Sequence, residues 1–276
     1  MGTDSVAGGT EMAPMVEQTL APTAVGDERF FLKSAIIMAI IIAAAFSIQL
    51  LMGRSTFASP ARVHVHAVLF MGWVTIYLMQ NILVARRRID LHRKLGWVAA
   101  GWMVAMVVSA FVVTATMVRS GTVPYFIQPL HFLIFDFVAI SAFGGLTAAA
   151  ILVRRRTEWH RRLHFCGMTV LIGPAFGRLL PMPLLQPWAW EAQFTAALLF
   201  PIAGMLADIR RDGRVHPAWT WGIAALLGSF VLTQAVTYTP VGLAIYDAVT
   251  AGSPGAAVPP LEFQPPPPEG PLTGRS

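Results

Sequence analysis

His64 to Ala110 reads HVHAVLFMGWVTIYLMQNILVARRRIDLHRKLGWVAAGWMVAMVVSA. An apolar run that begins past two histidines ends at Arg86-Arg87-Arg88, and a second apolar run opens at Leu91-His92-Arg93. Each run has the roughly 20 residues an α-helix needs to cross a hydrocarbon core, so the stretch reads as a membrane hairpin. The plan recurs. From His131 to Val170 the chain again has a histidine, an apolar span, Arg154-Arg155-Arg156, and a return span opened by Trp159-His160-Arg161-Arg162-Leu163-His164. Histidine and arginine placement repeats while the apolar residues do not, which is the mark of a weak internal duplication.

Composition agrees with a membrane protein. Of 276 residues, 55% are apolar and 12% charged, and the mean hydropathy is +0.62, outside the range of soluble domains. The net charge of +6 does not indicate nucleic acid, because the arginines sit in short clusters between apolar spans, the pattern of cytoplasmic turns. Cys166 is the single cysteine, which excludes an intrachain disulfide framework and any multi-cysteine metal or iron–sulfur site.

Hydropathy and turn residues predict an all-α integral membrane bundle of about seven transmembrane helices: residues 30–52, 62–85, 91–118, 129–153, 163–180, 192–209 and 217–239. An apolar extension to Ala251 continues past Pro240; with the last span lying partly in the interface, six crossings are the alternative. Helices two to five form the expected four-helix core. The polar, acidic residues 1–28 lack the order of a cleavable signal peptide and read as a disordered cytoplasmic tail. Residues 29–251 form the transmembrane domain, and residues 252–276, with Pro265 to Pro268, read as a proline-rich disordered tail.

Arg86, Arg87, Arg88, Arg93 and Lys94 flank the second turn, Arg154, Arg155, Arg156, Arg161 and Arg162 the fourth, and Arg210, Arg211 and Arg214 the sixth. The opposite turns carry only Arg54, Arg62, Arg119 and Arg178. With seven spans this predicts a multi-pass protein of the cell inner membrane, amino terminus cytoplasmic and carboxyl terminus outside.

Ionisable groups within a bilayer default to functional hypotheses. His64, His66 and His131 fall at the outer ends of helices two and four; His92, His160 and His164 fall at the inner ends of helices three and five. A low-spin heme b held between helices needs two facing imidazoles and apolar walls. His66 with His131, and His92 with either His164 or His160, are the candidate pairs, and Trp73, Trp97, Trp102, Phe132 and Phe135 the candidate walls. Two hemes so placed would pass electrons across or within the bilayer, with a quinone or another redox protein as partner. The structural alternative is that His92, His160 and His164 cap helices or contact lipid phosphate beside the arginines.

These placements give the chain an architectural resemblance to the diheme transmembrane cytochromes b of the ascorbate-reducible type, over about His64 to Leu180. The resemblance implies hemes held between alternating helices at His66, His92, His131 and His164. The motifs Leu91-His92-Arg93-Lys94-Leu95-Gly96 and Glu158-Trp159-His160-Arg161-Arg162-Leu163 also resemble those of a group of uncharacterised bacterial polytopic membrane proteins. That likeness implies no activity, matches helix four at Asp136 rather than His131, and does not require a histidine at position 164.

Two further readings stand beside the heme. His66, His131 and Asp136 are an N,N,O set for zinc with a water in the open position, the chemistry of a membrane hydrolase; the expected relatives are seven-helix lipid amidases, although their Ser/Asp/His order is missing. Alternatively the chain is a cofactor-free scaffold or accessory subunit of a larger membrane complex, with Asp136 and Arg178 as a structural ion pair and Gln49, Gln80 and Gln234 as interhelical hydrogen bonders. Lys33 and Lys94 both fall at membrane boundaries, which leaves no mid-helix lysine for a retinal Schiff base. The absence of a Gly-rich phosphate loop sets aside nucleotide hydrolysis.

Overall fold

A computed structural model describes residues 22–266, with the side chains of residues 27–266. Seven long helices run in order: α1 (Pro22–Leu51), α2 (Ala61–Ala85), α3 (Ile89–Ser120), α4 (Pro129–Leu152), α5 (Thr157–Leu179), α6 (Ala189–Asp212) and α7 (Pro217–Thr237). A short α8 (Pro240–Thr250) follows, because Pro240 cannot donate to the preceding helix and restarts the chain in a new direction. Prolines also occupy the first turns of α4 and α7, where a missing N–H costs nothing. Gly121 (φ 70°) and Gly213 (φ 69°) end α3 and α6 in the left-handed conformation.

Six of the long helices are sufficiently long and apolar to cross a membrane; α5 is not among them. It opens with Glu158, His160, Arg161, Arg162 and His164 and closes with Arg178. Yet α5 runs the same course, because Arg162 near its start pairs with Asp208 and the Arg178 carbonyl near its end accepts from Gln49 Nε2 at 2.8 Å, close to the end of α1. Its polarity is tolerated by position: α1, α4, α6 and α7 all pack against it, so little of it meets lipid. Gly222 of α7 lies so close to Cys166 that a methyl group there would collide with the sulfur, the close approach small residues permit between membrane helices.

The helices also form a closed circuit in which α1 meets α2, α2 meets α3, α3 meets α4, α4 meets α5, and α5 meets α1. The expected core of helices two to five is thus completed by α1. Trp73 and Tyr77 of α2, Met106 of α3 and Phe143 of α4 are buried in the core.

One end of the bundle is held by charge. Arg162, 1% exposed, makes two hydrogen bonds to Asp208, Nε to Oδ2 at 3.0 Å and Nη2 to Oδ1 at 2.8 Å. Arg211 donates to Asp208 and to Asp27, each at 2.7 Å, and Arg161 pairs with Asp27 and Glu158. Asp208 Oδ2 also accepts from Trp219 Nε1 at 2.9 Å and from the His216 amide at 3.2 Å. Glu28 reaches Arg87 in the α2–α3 turn at 3.4 Å. These pairs gather the start of α1 and the three arginine-bearing turns at one end of the bundle.

The predicted spans match these helices except at polar ends. α1 begins at Pro22, so the expected amino-terminal tail is shorter than residues 1–28; residues 1–21 lie outside the described part. The expected disorder from Gly252 onward is corrected for residues 252–266. There the Leu130 amide donates to the Pro260 carbonyl at 2.8 Å, Gln128 Nε2 donates to the Leu261 carbonyl at 2.6 Å, and Gly255 lies against the Val118 and Arg119 backbone. Residues 267–276 lie outside the described part.

Candidate functional site

The candidate site lies inside the helix circuit, in the half nearer the arginine-rich end. His92, in the first turn of α3, and His160, in the first turn of α5, face each other with ring centres 6.2 Å apart. His164, one turn deeper on α5, has its ring centre 4.7 Å from that of His160. The i, i+4 spacing explains why both α5 imidazoles share a face. Three imidazoles from two helices therefore gather where the sequence predicted one pair.

The orientation of His160 has a local cause. The last carbonyls of a helix lack intrahelical partners, and at the end of α4 the Arg154 amide bonds to Ile151 rather than to Ala150. The Ala150 carbonyl accepts instead from His160 Nδ1 at 2.8 Å. That bond places the proton on Nδ1 and leaves the Nε2 lone pair facing away from it. A backbone carbonyl fixing the far nitrogen is how metal-bound imidazoles are commonly oriented. The bond also caps α4, so His160 serves structure and presents a ligand atom together.

Around this cluster the buried polar groups are poorly satisfied. Trp73 Nε1, Gln80 Oε1, His92 Nδ1 and Thr147 Oγ1 are buried without a hydrogen-bond partner among the described residues. Buried polar atoms are almost always paired; these four lie on α2, α3 and α4, while further orphans lie at Arg161 Nε in the charge network and at His131 Nε2 and Trp190 Nε1 elsewhere in the bundle. Trp73 packs edge-on against Phe143 at 5.2 Å, and Tyr77 comes within electrostatic reach of Cys166 across the circuit.

The outer pair expected from the sequence is not brought together. His66 lies inside the circuit, its Nδ1 3.3 Å from Ser109 Oγ and its ring 4.1 Å from that of Phe70. His131 lies on another face of α4, packed edge-on against Trp190 of α6 at 4.8 Å and near Tyr238 at 6.3 Å. Asp136 turns back toward α3 and accepts from Thr114 Oγ1 at 3.0 Å. Five residues separate His131 from Asp136, a rotation of about 140° on a helix, so His66, His131 and Asp136 do not converge as a zinc set. Among the described residues no three His, Cys, Asp or Glu side chains are arranged to hold a metal ion alone.

The expected walls also divide. Trp73 is buried, and Trp102 donates to the Leu69 carbonyl at 2.7 Å. Trp97 is 67% exposed on the outside of α3, with the Arg154 guanidinium 5.8 Å from its ring. Phe135 faces Trp190, and Phe132 belongs to the cluster formed with Tyr246. Gln80 and Thr147 are the site residues the sequence reading did not assign to the site. Gln80, seven residues before Arg87 in a span holding few other polar groups, was the available signal.

Comparisons with protein-family models, curated proteins and solved structures found no match. The site's chemistry stands on its own residues.

At the edge of the charge network, His216 caps α7 by accepting from the Ala218 amide at 3.1 Å. Partial burial, then the positive charge of Arg162, hold its pKa below the usual histidine value, which keeps Nδ1 available as an acceptor.

Proposed function

We propose that the chain is a membrane-embedded b-type heme protein that carries electrons, in which His92 and His160 would hold the heme and His164 would line the site. The observation that carries this reading is the 6.2 Å separation of the His92 and His160 ring centres. Two imidazoles bound to one metal from opposite sides stand about 6 Å apart, since each metal–nitrogen bond is about 2 Å. Support comes from the Ala150 carbonyl on His160 Nδ1, which fixes Nε2 as the free atom, and from the orphaned polar atoms around it. Heme b would supply a one-electron carrier, its potential tuned by ligands and surroundings. The protein's own part would be to present the two imidazoles and to wall the group with buried aromatic side chains such as Trp73 and Phe143.

The excess of arginine in the turns after α2, α4 and α6 supports placing that end on the cytoplasmic side of a bacterial inner membrane, with the carboxyl terminus outside. The likeness to diheme transmembrane cytochromes b supports the site on α3 and α5. The far pair of that architecture has no counterpart here, because His131 faces α6.

The test is the absorption spectrum of purified protein expressed with ample heme, oxidised and after dithionite. A sharp reduced α band is expected, lost in His92→Ala and His160→Ala and kept in His131→Ala. A folded protein with a flat spectrum, or a band insensitive to both ligand substitutions, overturns the reading and leaves a scaffold role.

A further inference from the structure

A groove runs along the outer side of the bundle, apart from the interior of the helix circuit. α3 and α7 both pack against α4, and between them lies a cavity of about 880 Å³, floored by Ala142, Gly145 and Ala149 of α4 and walled by Phe111 of α3 and by Trp221 and Leu232 of α7. Its α4 lining runs from Phe137 to Val153, about 24 Å of helix rise, which is most of a hydrocarbon core of about 30 Å. Gly72, Gly204 and Gly222 each sit where an added methyl group would strike a side chain of another helix. Gly145 and Gly228, on the α4 and α7 sides of the groove, would meet nothing within 4 Å, so no neighbouring helix requires them and their missing side chains leave room. The hydroxyls in the lining are spent within their own helices: Ser141 Oγ donates to the Phe137 carbonyl at 2.7 Å and Ser229 Oγ to the Leu226 carbonyl at 2.6 Å. The length of the groove therefore offers hydrocarbon contact and no spare hydroxyl.

One end of the groove is different. Trp159 and Trp221 line it at the arginine-rich end of the bundle, the level at which indoles meet headgroups. The Trp159 ring lies 5.6 Å from that of His216, which draws the α4–α5 and α6–α7 turns together there. Arg155 and Arg156 fall between the lining residues Val153 and Trp159, and Arg214 falls two residues before His216. All three are exposed, and among the described residues none makes an ion pair within 4.0 Å. Their neighbours Arg161, Arg162 and Arg211 are instead taken up by Asp27 and Asp208. An apolar channel flanked at one end by uncompensated cations matches an amphiphile with an anionic head and a hydrocarbon tail. A second transmembrane helix has no use for the cations, and a free phosphate gains nothing from the channel. We infer that the groove holds an anionic phospholipid, with an acyl chain along Gly145 and Gly228 and the phosphate among Arg155, Arg156 and Arg214. The site shares no residue with the proposed heme ligands and does not depend on them.

The experiment titrates the full chain in detergent with phosphatidylglycerol and phosphatidylcholine of identical acyl chains and counts retained lipid by native mass spectrometry. Phosphatidylglycerol is expected to be retained about fivefold more tightly or better, roughly the attraction of one arginine for an anionic lipid surface. Replacing the three arginines together, by Arg155→Gln, Arg156→Gln and Arg214→Gln, should abolish the preference. Gly145→Leu and Gly228→Leu fill the groove where the backbone has open space and should abolish retention of both lipids. A second readout needs none of these variants. In nanodiscs of phosphatidylcholine, phosphatidylglycerol with brominated chains should quench tryptophan fluorescence more strongly than brominated phosphatidylcholine at the same fraction, and Trp221→Phe, at an exposed position, should reduce the excess. Equal retention or equal quenching by the two lipids overturns the inference, as does retention unchanged in both leucine variants. A dimer that the leucine variants dissociate also overturns it, since a second copy of the chain would then fill the groove.

Discussion

Two buried polar clusters share helix α5, one beginning two residues after the other, and they are built in opposite ways. Around Arg162 every oxygen of Asp208 has a donor, from Arg162, Arg211, Trp219 and the His216 amide. Around His160 one nitrogen is tied to Ala150, while His92, Gln80, Trp73 and Thr147 keep unpartnered atoms. A buried charge is held when its partners are complete and is costly when they are not. The first cluster is therefore architecture, a junction of α1, α5, α6 and α7. The second leaves donors and acceptors open, and the heme proposal builds on them.

The largest effect that tests this contrast is Arg162→Ala. It leaves Asp208 buried beside a lost partner and should cost about 3–5 kcal/mol, read as loss of folded, monodisperse protein in detergent; a variant of near-normal thermal stability would remove the distinction. Asp27→Asn weakens the same network at its edge and should lower stability by about 2 kcal/mol, measured as a reduced melting temperature. On the open side, Thr147→Val deletes an unpartnered hydroxyl at nearly constant shape and should leave heme-free protein unchanged or more stable by up to about 1 kcal/mol. A clear loss of melting temperature there would mean that the Thr147 hydroxyl is already satisfied.

The smallest effect concerns pH. His216 is held below its ordinary value of about 6.5, by burial and then by Arg162, so the unfolded chain binds the proton more tightly than the folded one. Its cap is fully present above about pH 6.5 and is lost as pH falls below that. The cost of losing such a cap is about 1 kcal/mol or less. The melting temperature should drop modestly between pH 7.5 and pH 5, and less so in His216→Asn, which caps without titrating in that range.

Helix positions were legible because length, apolar runs and prolines act locally; the predicted span 129–153 and the observed Pro129–Leu152 differ by one residue. The polar boundaries were not. Asp27 looked like part of a solvated tail, and only the fold shows that Arg161 and Arg211 bury it. The arginines after α4 and α6 carry a headgroup signal, so nothing local marks Arg162 as the partner of Asp208, 46 residues on. His92, His160 and His164 were legible as a group because they fall in the first two turns of α3 and α5, at the same end of the bundle. His131 was misplaced because depth says nothing of rotation: it shares a level with His66 but faces Trp190.

The polarity of α5 also bears on how the protein is made. A helix that carries Arg161, Arg162, Glu158 and two histidines in its first turns and Arg178 in its last inserts less readily alone than its apolar neighbours, since charges raise the cost of transfer from the translocon into lipid. Its countercharge Asp208 is synthesised later, near the end of α6. The expected consequence is that α5 settles beside α1 and α4 only when α6 brings the carboxylate that pairs with Arg162. A ribosome stalled before Asp208 should display α5 still accessible to water-soluble thiol reagents at an engineered cysteine, whereas release of the full chain should bury that position.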